Sequence, residues 1–458
     1  MSEEVEMMQK AVRDYGLPAA VEPLFTAARQ SGGRALLVGG CVRDMLLGIP
    51  VKDIDVEVYG LESESLRSLL LNLGSVNLVG QSFAVFKFKP RRNRSMEIDV
   101  SLPRLDRKTG AGHRGFSISY DPSLSFEEAS RRRDLTVNAI LYDPLTEEFI
   151  DPHGGVRDIR LRLLRAVDPD TFIEDSLRVL RVAQLAARLE FKVDSDTIEL
   201  CRSLDLSDLP ADRIREEMFK LLKAARPSTG LRLMDQMRVT DQLFPELAAL
   251  KERFIDDENL FAHTERSIDV AASISSDLTA EKKITVMIAA LAHELAIEQV
   301  ERFLDHLGLH TLNGYEVRKQ TVALVENHLK PQQFYESCVR SENPSRLAFA
   351  RVAEKCDPRL LARVALSHLR AMNEDEVPVD YFRARISEYG FEAGLPEPLL
   401  LGRHILEEGI VKSPGPAIGR ILKAVYERQL DGEIVSFEEA LSLARQIADE
   451  KKTADEGR

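Results

Sequence analysis

A strand that ends on Gly39-Gly40 and a second that opens with Asp53-Ile54-Asp55 demand a particular local structure. Residues 34–60 read RALLVGGCVRDMLLGIPVKDIDVEVYG. The run is a short apolar strand, a glycine turn, a helical turn carrying Arg43-Asp44, and a strand in which carboxylates alternate with aliphatics. Side chains alternate across a strand, so Asp53, Asp55 and Glu57 are expected on one face and Ile54, Val56 and Val58 on the other. Neighbouring acids on an exposed face repel each other. A hard cation, Mg²⁺ above all, held by one or two carboxylates and by substrate phosphates, removes that cost. The glycines let backbone N–H groups approach an anion at a helix start, where the dipole favours negative charge. Metal and phosphate sites then fall within one strand-turn-helix-strand unit. The plain alternative is a solvated strand face beside an ordinary glycine turn.

With 458 residues the chain is too long for one core and suggests two to four domains. Its composition, 44% hydrophobic and 30% charged, is that of a globular protein, and the abundance of Leu, Ala, Arg and Glu favours helix. The N-terminus, MSEEVEMM, is acidic and lacks the apolar stretch of a signal peptide. Nor does any apolar run approach the roughly 20 residues of a membrane helix. Cys41, Cys201, Cys338 and Cys356 have no metal-ligand spacing and fit a reducing cytoplasm, so a cytoplasmic protein without membrane contact is expected. A formal net charge of −13 argues against indiscriminate nucleic-acid binding but leaves room for a local basic site. Residues 87–114 are rich in Lys and Arg, and Arg131-Arg132-Arg133, Arg157, Arg160, Arg162 and Arg165 follow, so positive charge collects in the same third as the acidic pair.

Up to about residue 165, β-like runs (ALLVGG, DIDVEVYG, FAVFKFKP, MEIDVSLP, AILYDP, EEFIDP) mix with short helices, which reads as an antiparallel or mixed sheet with helices on one side. From about 170 the pattern turns helical. EDSLRVLRVAQLAARLEF, PADRIREEMFKLLKAA and TVMIAALAHELAIEQVERFLDHLG repeat apolar residues at helical spacing. The predicted class is α+β: a mixed-sheet N-terminal part and an all-helical remainder.

Two further segments carry chemistry. MEIDVSLPR offers Asp99 on a strand where Glu97 shares its face, and pairing beside the Asp53 strand would gather three acids around a two-metal site. Phosphoryl and nucleotidyl transfer ask for little beyond positioning and charge neutralisation. Asp99 read alone is equally a strand-end salt bridge. RRRDLTVNAILYDP places Arg133, Asp134 and Asn138 before an apolar strand, where Arg can fork onto phosphate and Asp and Asn can bind a ribose hydroxyl or cap the next element.

These segments together resemble the class II tRNA nucleotidyltransferases, the CCA-adding family that includes bacterial poly(A) polymerases, within the DNA polymerase beta-like superfamily. LLVGGCVRDMLLGIPVKDIDVEV resembles the first family motif, RRDLTVNAILYDP the second, DPHGGVRDIRLRLLRAV the third, EDSLRVLR the fourth and PADRIREEMFKLL the fifth. The resemblance implies a nucleotidyltransferase head over residues 1–165, a helical neck for nucleotide selection over 166–230, and a helical, tRNA-binding body and tail over 231–458. It implies Mg²⁺ on Asp53, Asp55 and Asp99 as catalytic acids. Gly39, Gly40, Arg43, Asp44, Arg133, Asp134 and Asn138 would bind nucleotide. Asp175 and Arg178, one helical turn apart, would read the base edge of CTP or ATP, with Glu174 holding the helix and Arg181 supporting the pair. By spacing alone the preferred reading of Asp175 and Arg178 is an i,i+3 surface ion pair, and the family resemblance reverses that order.

The implied activity is template-independent addition of CCA to the tRNA 3′ end, contacting its acceptor stem and elbow. A-adding, CC-adding and poly(A)-tailing enzymes share the same motifs. The stretch 104–130, with an expected mobile segment around Lys108 to Gly115, corresponds to the family loop that influences the switch from C to A, and its presence speaks against strict CC-addition. The C-terminal half resembles the HD-type extension of some members in altered form, with His293-Glu294 where His-Asp is usual and His263 and His328 as candidate outer ligands. A vestigial core is the expectation there. A metal-dependent phosphohydrolase is the third reading, and it predicts indifference to Asp53→Ala.

Overall fold

The computed structural model describes residues 8–10, 12, 16, 19–51, 53–79, 85–108, 116–255 and 257–456. It divides into two compact units, Met1–Leu221 with Thr229–Leu243, and Leu222–Ser228 with Phe244–Arg458.

The first unit is built on strands β1 (Arg34–Val38), β2 (Ile54–Tyr59), β3 (Gly74–Val79), β4 (Val85–Pro90), β5 (Ile98–Ser101), β8 (Leu141–Asp143) and β9 (Glu148–Ile150), in the order β3-β4-β5-β2-β1-β8-β9. Strands β2 and β5 run parallel, and every other pairing in this sheet is antiparallel. A separate hairpin joins β6 (Arg104–Lys108) to β7 (Phe116–Tyr120). Leu36, Leu37, Val56, Val58, Phe86, Phe88, Ile98 and Val100 are fully buried along the central strands and form the core that fixes their register. Helices α1 (Glu22–Gln30), α2 (Gly40–Leu46) and α3 (Ser63–Leu73) contact the sheet. Helix α4 (Phe126–Arg131) starts in a capping box between Ser125 and Glu128. After α5 (Gly155–Leu161) and α6 (Pro169–Phe172), helix α7 (Leu177–Leu189) begins the helical part of this unit.

All six anticipated strand runs are present. Strand β3 and the β6–β7 hairpin are additions. Strand β3 leaves α3 without a loop, at Gly74, where any Cβ would stand 2.1 Å from the Lys89 carbonyl oxygen, so only glycine permits the pairing with β4. Residues 109–115, most of the segment expected to be mobile, lie outside the described residues.

The second unit is almost entirely helical, apart from a two-residue hairpin at Phe254–Ile255 and Glu258–Asn259. Helix Ala280–Ala292 is buried continuously from Ile284 to Ala292, as a helix apolar on all sides must be. The expected run through His293 is in fact two helices: Ala280–Ala292 stops at His293, and Ile297–His306 restarts beyond it. Among the described residues no helix is long and apolar enough to cross a membrane.

Candidate active site

The parallel pairing of β2 with β5 sets Asp55 directly opposite Asp99, with Ile54 opposite Ile98 and Val56 opposite Val100. The aliphatics go inward and leave both carboxylates on the other face. Asp53 precedes the strand and is exposed. Glu57 departs from the expected open face. It is fully buried, accepting hydrogen bonds from the Tyr59 hydroxyl at 2.7 Å and Arg132 Nη2 at 2.8 Å. Its task is to anchor the arginine run, because an ionised carboxylate is tolerated at such depth only when paired.

Burial raises the Asp55 carboxyl to about 6, and Asp99 and Asp53 push it the same way, while Arg133 and Lys87 oppose them. Burial is thus the main cause, and the neighbouring acids add to it against Arg133. Asp99 is partly compensated by Lys87, whose Nζ lies 2.9 Å from its Oδ1 and 3.1 Å from Glu97. Lys87 sits opposite Asp99 on β4. Among the described residues, the group of ligand atoms close enough to enclose a metal as they stand lies in the second unit and does not include these aspartates.

Gly39 follows β1 at φ +77°, a conformation L side chains rarely adopt, and a Cβ there would come within 3.0 Å of Arg133 Nη1 and 3.7 Å of Asp55 Oδ2. The turn therefore faces a carboxylate and a guanidinium at once. Arg133 has its Nε buried without a hydrogen-bond partner, and its Nη2 stands 3.9 Å from Glu57. The three consecutive arginines are divided: Arg131 binds Asp168, Arg132 binds Glu57, and Arg133 turns to the glycine turn.

Behind the turn runs a buried chain of hydrogen bonds. Arg43 donates from Nε and Nη2 to Asp44 Oδ1 at 2.8 and 2.6 Å and from Nη1 to Asn138 Oδ1 at 2.5 Å. Asn138 Nδ2 donates to Asp134 Oδ1 at 2.9 Å, and Arg181 clamps Asp134 Oδ2 with Nε and Nη2, both at 2.7 Å. Burial alone would raise the Asp134 carboxyl; Arg181, the Asn138 amide and Arg178 outweigh it and hold it well below the carboxylate range. Arg43, Asp44, Asp134, Asn138 and Arg181 are thus one network.

Helix α7 begins at Leu177, so Asp175 lies just ahead of it and not on it as expected. Its Oδ1 accepts from Leu177 N at 3.2 Å and stands 3.8 Å from Arg213 Nη1. Arg178 donates to the carbonyls of Thr171 at 2.7 Å and Arg132 at 2.5 Å, which fixes the plane of its guanidinium beside the second motif. The two residues do not pair with each other but remain one turn apart, Arg178 N donating to Asp175 O at 3.0 Å. The charges at Lys87, Glu57 and Arg132 are plain in the sequence, but none of them is given a part in the site there. Lys87 had a signal, lying on the alternating strand FAVFKFKP, whereas nothing in the local pattern shows that Glu57 is buried.

In the second unit His263, His293, Glu294 and His368 converge. His263 and the His293-Glu294 pair are where the sequence suggested. The fourth member is His368, from ALSHLRA, in place of His328.

A mixed sheet carrying paired acids beside a glycine turn defines a nucleotidyltransferase head. Residues 35–165 match the family described as poly A polymerase head domain, and residues 190–251 match the probable RNA and SrmB-binding site of polymerase A. The Multifunctional CCA protein of Stenotrophomonas maltophilia (strain R551-3) is 34% identical over 357 residues, covering 72% of this chain and 83% of the relative. That of Mannheimia succiniciproducens is 36% identical over 313 residues, 65% of this chain and 70% of the relative. The chain belongs to the family of CCA-adding tRNA nucleotidyltransferases and bacterial poly(A) polymerases. Its fold is that of the Bacillus stearothermophilus CCA-adding enzyme solved with CTP (TM-score 0.66, 20% identity, 96% of this chain and 100% of that one). It is equally that of the Thermotoga maritima CCA-adding enzyme solved with tRNA_CCA (TM-score 0.63, 19% identity, 94% and 97%).

The raised carboxyl of Asp55 has a consequence for stability. Its folded pKa, about 6, lies above the ordinary 3.8, so the stabilisation is complete below about pH 4 and is lost as pH rises through 6. The gap is worth at most about 3 kcal/mol. In Mg²⁺-free buffer, thermal unfolding of the wild type should shift to lower temperature between pH 5 and pH 7.5 by more than that of Asp55→Asn. Identical shifts in the two proteins would contradict a carboxyl raised by burial at Asp55.

Proposed function

We propose that this chain adds CCA to the 3′ end of tRNA, taking CTP and ATP without a nucleic-acid template. The observation that carries the reading is the pairing of Asp55 with Asp99 across β2 and β5, facing the Gly39 turn and Arg133, in a chain whose relatives are CCA proteins. An all-oxygen set of crowded carboxylates fits a hard divalent cation, and we assign Asp53, Asp55 and Asp99 as its ligands and Mg²⁺ as the ion. When bound, Mg²⁺ lowers the pKa of the attacking hydroxyl and neutralises charge on the triphosphate.

The remaining steps rest on the chain's own groups. The Gly39 and Gly40 backbone and Arg133 hold the triphosphate in line with the tRNA 3′-hydroxyl, so that attack at the α-phosphorus expels pyrophosphate. Arg43, Asp44, Asp134, Asn138 and Arg181 form the polar wall on which the nucleotide is bound. Asp175 accepts and Arg178 donates at the base edge, a pattern cytosine and adenine each answer with one amino group and one ring nitrogen. In the finer division we assign residues 1–165 to the head, 166–230 to the neck and 231–458 to a body that holds tRNA through shape and backbone charge. A cytoplasmic setting follows from the substrate.

With tRNA lacking its last three nucleotides, the wild type should incorporate CTP and ATP and refuse UTP and GTP. Asp175→Ala should lower that discrimination by about tenfold or more, the worth of one hydrogen bond of about 1.4 kcal/mol. Unchanged selectivity in single-nucleotide assays would return Asp175 and Arg178 to a structural role.

A further inference from the structure

The second unit holds a side-chain cluster that nucleotidyl transfer does not use. Helix Leu260–Ser273 supplies His263, helix Pro358–Ala371 supplies His368, and the break after helix Ala280–Ala292 supplies His293 and Glu294. His263 Nε2 lies 2.9 Å from His293 Nε2 and 3.1 Å from His368 Nδ1, and the last two are 3.2 Å apart. Glu294 Oε1 stands 3.4, 3.2 and 3.5 Å from His263, His293 and His368 in turn. Four donor atoms mark the corners of a nearly regular tetrahedron. With edges of about 3.2 Å its centre is roughly 2.0 Å from each corner, the length of a zinc–imidazole or zinc–carboxylate bond.

Hydrogen bonding among these atoms does not explain the arrangement. His293 Nδ1–H donates to Ala290 O at 2.8 Å, which leaves a lone pair on Nε2 pointing at the centre. One imidazole N–H could satisfy that lone pair, but the other atoms would still crowd the same point as acceptors. Coordination through Nε2 places the His263 proton on Nδ1, an atom buried without a hydrogen-bond partner, so the case for a cation rests on the spacing of the four donor atoms. A cation at the centre meets all four lone pairs together.

The donor set also selects the ion. Imidazoles suit zinc, copper, iron and nickel, whereas Mg²⁺ wants about six oxygens. Four-coordinate tetrahedral geometry favours Zn²⁺ among these. The site is closed: side-chain exposure is 2% for His263, 0% for His293 and 12% for both Glu294 and His368. His328 lays its ring 5.3 and 5.5 Å from those of His293 and His368 while its Nδ1–H is given to Val325 O, so it covers the cluster without joining it. Four protein ligands leave no position for a water nucleophile.

We infer that the helical unit carries one Zn²⁺, held by His263, His293, Glu294 and His368 in a closed tetrahedral site that ties three helices together and hydrolyses nothing. The ligands come from points 105 residues apart in the chain, so binding stabilises the fold by linkage.

The test uses the full chain, stripped with a chelator, reloaded with Zn²⁺ and desalted. Mass spectrometry for metals should find one equivalent in the wild type, in Asp55→Ala and in His328→Ala, and its loss in His368→Ala. Loading with Co²⁺ in place of Zn²⁺ needs no variant and should give the strong visible absorption of a tetrahedral site, which decides the matter even if His368→Ala fails to fold. Wild type without bound zinc, zinc retained in a folded His368→Ala, or the weak spectrum of six-coordinate Co²⁺ would each overturn the proposal. So would two ions accompanied by phosphoester hydrolysis.

Discussion

Asp55→Ala should abolish incorporation of CTP and ATP into tRNA, with turnover falling by about 10³-fold or more. The removed carboxylate lies opposite Asp99 in the sheet and faces Gly39 and Arg133, where the metal and triphosphate are assigned. Losing a ligand there forfeits several kcal/mol of transition-state stabilisation, and each 1.36 kcal/mol is about tenfold in rate. Nucleotide selection should survive, because Asp175 and Arg178 belong to a different segment with its own anchors on Arg132 and Thr171. Single-turnover incorporation measured beside equilibrium binding of CTP and ATP separates the two effects. Near-normal incorporation by the variant would refute the assignment, whereas a chain acting chiefly as a phosphohydrolase would release phosphate and incorporate neither nucleotide in wild type or variant.

Asp134→Ala should produce a large loss of stability in the first unit, about 1–3 kcal/mol, because the buried carboxylate's partners lose their acceptor while Arg181, 37% exposed, regains some water. Asp134 is 7% exposed and receives Arg181, Asn138 and the Leu135 backbone N–H. Its removal strands the Arg181 guanidinium and frees the Asn138 amide that orients Arg43. The pH dependence has a definite sign. A carboxyl held below its unfolded value contributes fully above about pH 4, and that contribution is lost as pH falls through the folded pKa. Urea unfolding at pH 7 should show the first transition moved to lower denaturant in Asp134→Ala. A midpoint within about 0.5 kcal/mol of wild type would mean that the network is solvated and not a buried framework.

Much of this arrangement was legible in the sequence because it depends on short-range pattern. The period of two in DIDVEV and MEIDVS places Asp55 and Asp99 opposite the aliphatics, and Gly39 marks a turn whose positive φ glycine adopts without strain. What escaped depends on distant partners. Glu57 has the same alternation as Asp55, yet Tyr59 and Arg132 fold over one acid and leave the other facing the turn. Strand β3 was hidden in a leucine-rich run continuous with α3, and β6, RLDRK, carries too much charge to look like a strand. His368 lies 75 residues beyond His293, and a histidine on an amphipathic helix gives no local sign of the three ligand atoms it meets. Asp175 was placed on a helix because its spacing to Arg178 fits one, but Ser176 turns toward Asp208 at 3.0 Å and the helix starts after it.

The most direct measurement is anomalous diffraction from crystals grown with Mn²⁺ in place of Mg²⁺ and a non-hydrolysable CTP analogue. Manganese peaks should appear against the Asp53 and Asp55 carboxylates, with the triphosphate along the Gly39-Gly40 turn and in reach of Arg133. A nucleotide bound elsewhere, or a triphosphate on that turn with no manganese at Asp55, would contradict the account.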